Sequence, residues 1–140
     1  MSIEIDQTAD IEACRDLRRT VFIGEQGVSE EEELDDLDSV AIHILAKVDG
    51  IPKATARILI KGDTAKIARV CVLANLRGTG LGAALMRKTI KVCKAQEGVK
   101  RSVLGAQMYA IPFYEKLGYR AYGPIFLDAE IEHRDMTLDL

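Results

Sequence analysis

The chain has no tryptophan, and only three cysteines, three prolines and two histidines in 140 residues. Cys14, Cys71 and Cys93 are odd in number, widely spaced and never form a Cys-x-x-Cys pair. No disulfide framework or structural zinc site is expected from such a set, and a reducing cytoplasm is the expected location. His43 and His133 are too few to build a transition-metal centre, so no metal is expected. No apolar run approaches the ~18 residues that span a bilayer. The opening MSIEIDQTADIEACRD carries neither the basic nor the apolar region of a secretory signal. No membrane partner is expected. A basic excess is also missing: 19 Lys and Arg face 22 Asp and Glu, a net charge of −3, which argues against a nucleic-acid partner. Seven of those acids lie in residues 30–38, EEEELDDLD, so an acidic block sits on a mildly basic remainder.

What is present suits one domain spanning residues 1–140, long enough to bury a core without staples. Ile3 and Ile5 alternate with polar residues as a short strand does. Thr8 is placed to cap a helix carrying Ile11, Cys14, Leu17 and Val21 on one stripe, fading near Gly24 and Gly27. Ser29 followed by Glu32 reads as a capping box before the acids. Val40, Ile42, Ile44 and Val48 alternate, Asp49-Gly50 signals a hairpin, and strands over Thr55–Ile60 and Lys66–Leu73 flank a turn at Gly62-Asp63. Those three segments read as an antiparallel meander. Arg77-Gly78-Thr79-Gly80-Leu81-Gly82 then leads into a helix with Leu81, Leu85, Met86, Ile90 and Cys93 inward and Arg87, Lys88, Lys91 and Lys94 outward. Gly98 ends that helix, and Ser102-Val103-Leu104 begins a strand, giving a βαβ unit. A short helix over Tyr109–Leu117 stops at Gly118, and strands around Tyr119–Phe126 and His133–Leu140 close the chain.

The glycine turn carries the most chemistry. Glycines between a strand and a helix let backbone N–H groups approach a phosphate, whose charge the helix N-terminus favours. A P-loop would need Gly-Lys-Ser/Thr at its end, which is lacking. Gly78, Gly80 and Ala83 match the spacing of a dinucleotide fingerprint. However, no acid for a ribose follows the next strand, and 140 residues leave no room for a doubly wound fold. A pyrophosphate cradle for coenzyme A remains, against the plainer reading of a tight strand-to-helix connection.

Arg77 to Gly82 resembles the Arg/Gln-x-x-Gly-x-Gly/Ala signature of the GNAT superfamily of N-acetyltransferases. Phe113-Tyr114-Glu115-Lys116-Leu117-Gly118-Tyr119 resembles its later helix-and-turn motif, and the order of elements is similar along nearly the whole chain. More narrowly, Val21-Phe22, Glu25-Gln26, Glu31 to Glu33 with Asp35 and Asp38, Arg69, Ala106-Gln107 and His133-x-x-Met136 resemble the ElaA/YjcF-like subgroup. The resemblance implies an α+β fold, layered α/β/α, with a mixed, largely antiparallel central sheet flanked by helices. It implies acetyl-CoA as cosubstrate and a small-molecule primary amine as acceptor, and it is compatible with a homodimer. Cys71, Val72 and Leu73 would offer backbone groups to the pantetheine arm. Arg77, Gly78, Thr79, Gly80, Leu81, Gly82, Ala83 and Ala84 would cradle the pyrophosphate. Gln107 stands where the superfamily often has Asn, and Ala74 where it often has Pro.

For Tyr114, a general acid toward the departing thiolate stands beside a plain core aromatic. His133 resembles the His-x-x-Met of glyphosate-type acetyltransferases, and an imidazole can accept an amine's proton. Glu25 is the second candidate base, and His43 reads as structural. The acidic block reads as a solvated helix start, or as attraction for a cationic amine. A three-residue turn at Gly62–Thr64 would set Arg57 and Arg69 opposite each other. They would then need an anion between them, either Asp35 or Asp38 from the chain or a substrate carboxylate or phosphate. Nothing in the sequence activates Cys71 as a nucleophile. Two further readings stay open: a coenzyme A-binding module without turnover, and an acyltransferase using another acyl group.

Overall fold

Alternating apolar residues build seven strands in a computed structural model that describes residues 2–140. They are β1 (Ile3–Thr8), β2 (Ile42–Val48), β3 (Ile51–Lys61), β4 (Thr64–Val72), β5 (Arg101–Gln107), β6 (Arg120–Asp128) and β7 (Ile131–Asp139). They form one sheet in the order β1-β2-β3-β4-β5-β7-β6. Every neighbouring pair is antiparallel except β4 and β5. The helices are α1 (Ile11–Arg18), α2 (Glu30–Glu33), α3 (Leu81–Ala95) and α4 (Ile111–Lys116). No helix among the described residues is long and apolar enough to cross a membrane.

Strand alternation sends successive side chains to opposite faces, so each face takes its own helix. Ile44, Ala46, Ala56, Ile58 and Leu104 pack on the inward stripe of α3, formed by Leu81, Leu85, Met86, Ile90 and Cys93. Leu45 and Cys71 point the other way, onto Cys14, Leu17 and Val21. Both apolar stripes expected from the sequence are therefore buried.

Three local expectations need correction. Asp10, not Thr8, caps α1: its carboxylate accepts the Ala13 N–H at 3.2 Å, whereas Thr8 ends β1 and its hydroxyl accepts the Asp10 N–H. The first helix ends between Gly24 and Gly27 as expected, with Gln26 as its C-cap and Gly27 at φ of 72°. It widens into a π-helical segment, Arg19–Glu25, and the Gln26 N–H reaches back to Val21 O at 3.1 Å. Val40 is 73% exposed in a 3-10 turn, Asp38–Val40, because β2 starts only at Ile42. The β3–β4 turn has two residues rather than three, since Lys61 pairs with Thr64.

Candidate active site

That shorter turn sets Arg57 against Ala68, while Thr55 is already paired with Cys71. One extra residue is thus accommodated on β4, and Arg69 takes it up in a left-handed conformation with φ of 55°. A bulge of this kind bends its strand and increases the local twist. On its other side β4 pairs with β5 only from Thr64 to Lys66. Beyond that point the two strands part, and a cavity of about 750 Å³ runs through the split. Leu73 spends its N–H on Lys53 O at 3.0 Å, toward β3. Alternation then turns the N–H and C=O of Val72 to the open edge, where Arg77 Nε donates to Val72 O at 3.0 Å.

The glycine turn closes one end of this cavity. Gly78 and Gly80 adopt φ of 78° and 90°, which side chains rarely tolerate, and a Cβ at either would meet nothing within 4 Å. Gly80 caps α3 with no side-chain hydrogen bond, so the first-turn N–H groups are left to an outside acceptor. Gly82 packs against Phe113 and Val72, with 3.6 Å between a built Cβ and either side chain. Arg77, Gly78, Gly80, Gly82 and Ala83 line the cavity. Thr79, Leu81 and Ala84 do not: the Thr79 hydroxyl donates to Leu76 O, Leu81 is buried in the core, and the Ala84 N–H is spent on Gly80 O. Cys71 and Val72 line the cavity as well, while Leu73 packs away from it. Burial pushes the Cys71 thiol up to about 12, so it is no nucleophile.

Tyr114 and His133 both line the cavity, each 8% exposed. Tyr114 is held edge-on between Phe113 and Tyr119, with ring centroids 5.0 and 6.0 Å away. Burial, with Tyr119 and Tyr109 nearby, raises its phenol above the ordinary range. His133 stacks on Phe126 at 5.8 Å, and its Nδ1 lies 2.7 Å from Ile131 O. A carbonyl only accepts, so Nδ1 carries a proton, and Nε2 is the ring nitrogen that can accept one when the imidazole is neutral. Gln107 lines the cavity, pairs with His133 in the sheet and donates to Gln26 Oε1 at 2.9 Å. Glu25 does not line it. Its carboxylate is 2.6 Å from Arg77 Nη2.

Residues 12–140 match the family described as "Acetyltransferase (GNAT) domain". The chain belongs to that family. The uncharacterized N-acetyltransferase YjcF of Bacillus subtilis is 38% identical over 124 residues, covering 88% of each chain. The crystal structure of Escherichia coli ElaA has a TM-score of 0.86 at 28% identity, covering 97% of this chain and 99% of its own. That of an acyl-CoA N-acyltransferase from Pseudomonas aeruginosa has a TM-score of 0.85 at 28% identity, covering 97% of each chain. The fold is the GNAT fold of the ElaA/YjcF-like subgroup, and the cosubstrate of such an acyltransferase is an acyl-CoA.

On the sheet face opposite α3, this GNAT domain divides its acidic block: Glu30, Glu31, Glu32 and Asp36 stay exposed around a capped helix start, and the rest turn inward. Glu33 and Asp38 are buried, and Asp35 is partly so. Arg18, 1% exposed on the apolar stripe of α1, binds Glu33 through Nε and Asp38 through both Nη atoms at 2.9 and 3.2 Å. Arg15 adds a bond to Asp38 at 3.0 Å. Arg57 grips Asp35 with two bonds of 2.7 and 2.8 Å and also reaches Asp38. Arg69 reaches Asp35 at 3.3 Å and Glu33 O at 3.1 Å. Arg57 and Arg69 are not directly opposite as expected, because the bulge shifts the register, but both converge on Asp35. The anion between them is internal. Burial alone would raise the Asp38 carboxyl, and Arg18, Arg15 and Arg57 outweigh it and hold it far below the usual range. His43 is buried beside this network, away from the cavity lining, with Nε2 2.9 Å from Asp38 O. The sequence reading missed Arg18, although it sits four residues after Cys14 on the apolar stripe. Gln26, Gly105 and Asp135 also line the cavity, beside residues expected there.

Proposed function

We propose that this chain, acting as a single domain in the cytoplasm, moves the acetyl group of acetyl-CoA to a primary amine of a small molecule. The transfer is a direct attack within a ternary complex. One observation carries the reading: a single cavity joins the open backbone of the glycine turn to Val72, Tyr114 and His133. The turn suits a pyrophosphate, because Gly78 and Gly80 leave space where a Cβ would stand and the first N–H groups of α3 have no internal acceptor. The three free cysteines are all buried, in keeping with a reducing compartment.

Acetyl-CoA supplies the acetyl group as a thioester. The Val72 N–H, on the open edge of β4, donates to the thioester oxygen as negative charge builds there. His133 Nε2 takes one proton from the ammonium, leaving the neutral amine that can attack. The C–N bond forms as the C–S bond breaks. The nitrogen then releases a second proton to water, and Tyr114, having given its own to sulfur, regains one from water. Glu25 is committed to Arg77, which supports His133 as the base.

Saturating acetyl-CoA is expected to raise Tm, by ~2.7 kcal/mol of stabilisation at a hundredfold excess over Kd. NAD is expected to do much less. Gly80→Val abolishes the acetyl-CoA shift, because a β-branched residue does not hold a φ of 90°. Thiol release from acetyl-CoA with a panel of primary amines then tests turnover, and His133→Gln lowers kcat by ~10²-fold with the acetyl-CoA KM unchanged. A Tm shift without thiol release on any amine makes this a binding module. Equal stabilisation by NAD removes the coenzyme A reading.

A further inference from the structure

Asp135 lies two residues after His133 on β7, so both side chains share the sheet face that looks into the acceptor end of the cavity. It sits mid-sheet, paired with Gly105 of β5 on one side and Tyr122 of β6 on the other. It is half-buried, yet among the described residues its side chain has no hydrogen bond and no ion pair. The other cavity carboxylates are engaged or solvated. Glu33 and Asp35 are held by arginines, Glu32 accepts from Ser29, and Asp128 is exposed at the β6–β7 turn. Asp135 is thus the cavity carboxylate that is neither held by the chain nor turned out to bulk solvent, and it is free to meet a cationic ligand.

Gly105 lets an aromatic ring lie close to Asp135. A Cβ there would lie 3.3 Å from the Phe126 ring and 4.0 Å from Asp135 Oδ1. With no side chain at that position, the Phe126 ring rests over the strand beside Asp135 and stacks on His133, giving a cation an aromatic surface next to the carboxylate. Side chains two residues apart on a strand stand about 7 Å apart, a gap that one ammonium nitrogen spans with a contact of about 3 Å to each.

We propose that Asp135 is the acceptor-recognising group of this enzyme, selecting an amine that arrives as its ammonium cation. The inference rests on the acetyltransferase reading above and names the charge of its acceptor. Asp135 holds the ammonium beside His133, which takes the proton. Among the described residues no cation forms an ion pair with this carboxylate. Arg57, Arg69 and Arg77 are bound to Asp35, Glu33 or Glu25, and Lys66 on the cavity wall has no carboxylate within ion-pair distance.

The test uses pairs of probes, each a primary alkylamine and its O-alkylhydroxylamine counterpart, which has a similar shape but is uncharged near neutral pH. In Asp135→Asn the KM for alkylamines rises about tenfold or more, as expected for a lost charge-assisted contact. The KM for O-alkylhydroxylamines and for acetyl-CoA stays put, which also shows that the variant is folded. Asp135→Glu keeps the preference for the charged probe. Without acetyl-CoA, the rise in Tm caused by an alkylamine disappears in Asp135→Asn. An equal change in KM for charged and uncharged probes, or none for either, overturns the role of Asp135 and leaves the acetyltransferase reading standing. If the wild-type protein binds acetyl-CoA but acetylates no amine, the reading itself fails and this inference goes with it.

Discussion

Tyr114→Phe lowers kcat about 100-fold or more, the usual scale for a positioned acid, and leaves acetyl-CoA affinity nearly unchanged. The substitution keeps the ring, so the edge-on contacts to Phe113 and Tyr119 survive and only the hydroxyl goes. Burial raises the phenol above its ordinary range, so it holds its proton at any working pH. The same desolvation makes a thiolate beside it more basic, which restores the drive for proton transfer. Tm is the control: a packing role alone leaves kcat intact and moves only stability. A wild-type kcat under conditions where chemistry limits the rate removes Tyr114 from the mechanism.

Arg18→Met is expected to cost ~3–5 kcal/mol, because it leaves buried carboxylates without their closest cation. Asp38 keeps Arg15 and Arg57, but Glu33 keeps only Arg69, at 3.7 Å. For a chain of this size the loss lowers Tm by ~10 °C or more. Adding Glu33→Leu recovers part of it, since the penalty lies in the stranded charge. The network also fixes the direction of acid sensitivity. Asp35 and Asp38 both titrate below their ordinary 3.8 in the folded state. Their contribution is complete above the unfolded-state value and is lost as pH falls below it toward the folded-state values. Below about pH 4 the unfolded chain binds more protons, and denaturation midpoints fall with pH. In Arg18→Met this slope is shallower, because part of the depression of Asp38 is gone. An unchanged acid slope contradicts the pairing.

The acidic block separates what was legible from what was not. Read along the chain, EEEELDDLD is a run of charge that belongs in water, and Glu30, Glu31 and Asp36 do stay exposed. Glu33, Asp35 and Asp38 do not, because their partners Arg18, Arg57 and Arg69 come from a helix and two strands 15 or more residues away. Local periodicity contains no record of such pairs. The register of Arg57 and Arg69 was missed for a related reason. A one-residue difference in turn length and a bulge decide it, and both depend on how β4 twists away from β5.

The sequence by itself determined the apolar stripes of α1 and α3, most of the strands and the glycine turn before α3. These are short-range patterns, set by the periods of 2 and 3.6 and by the φ that only glycine accepts cheaply. With its two motifs it also determined the family. Tertiary structure alone decided that Glu25 is tied to Arg77, that Glu33, Asp35 and Asp38 are neutralised from within, and that Asp135 is left without an ion pair on the strand that carries His133. Charge pairing is settled by which distant strands and helices come within a few ångströms of one another, and that is fixed only when the sheet twists and its faces are covered.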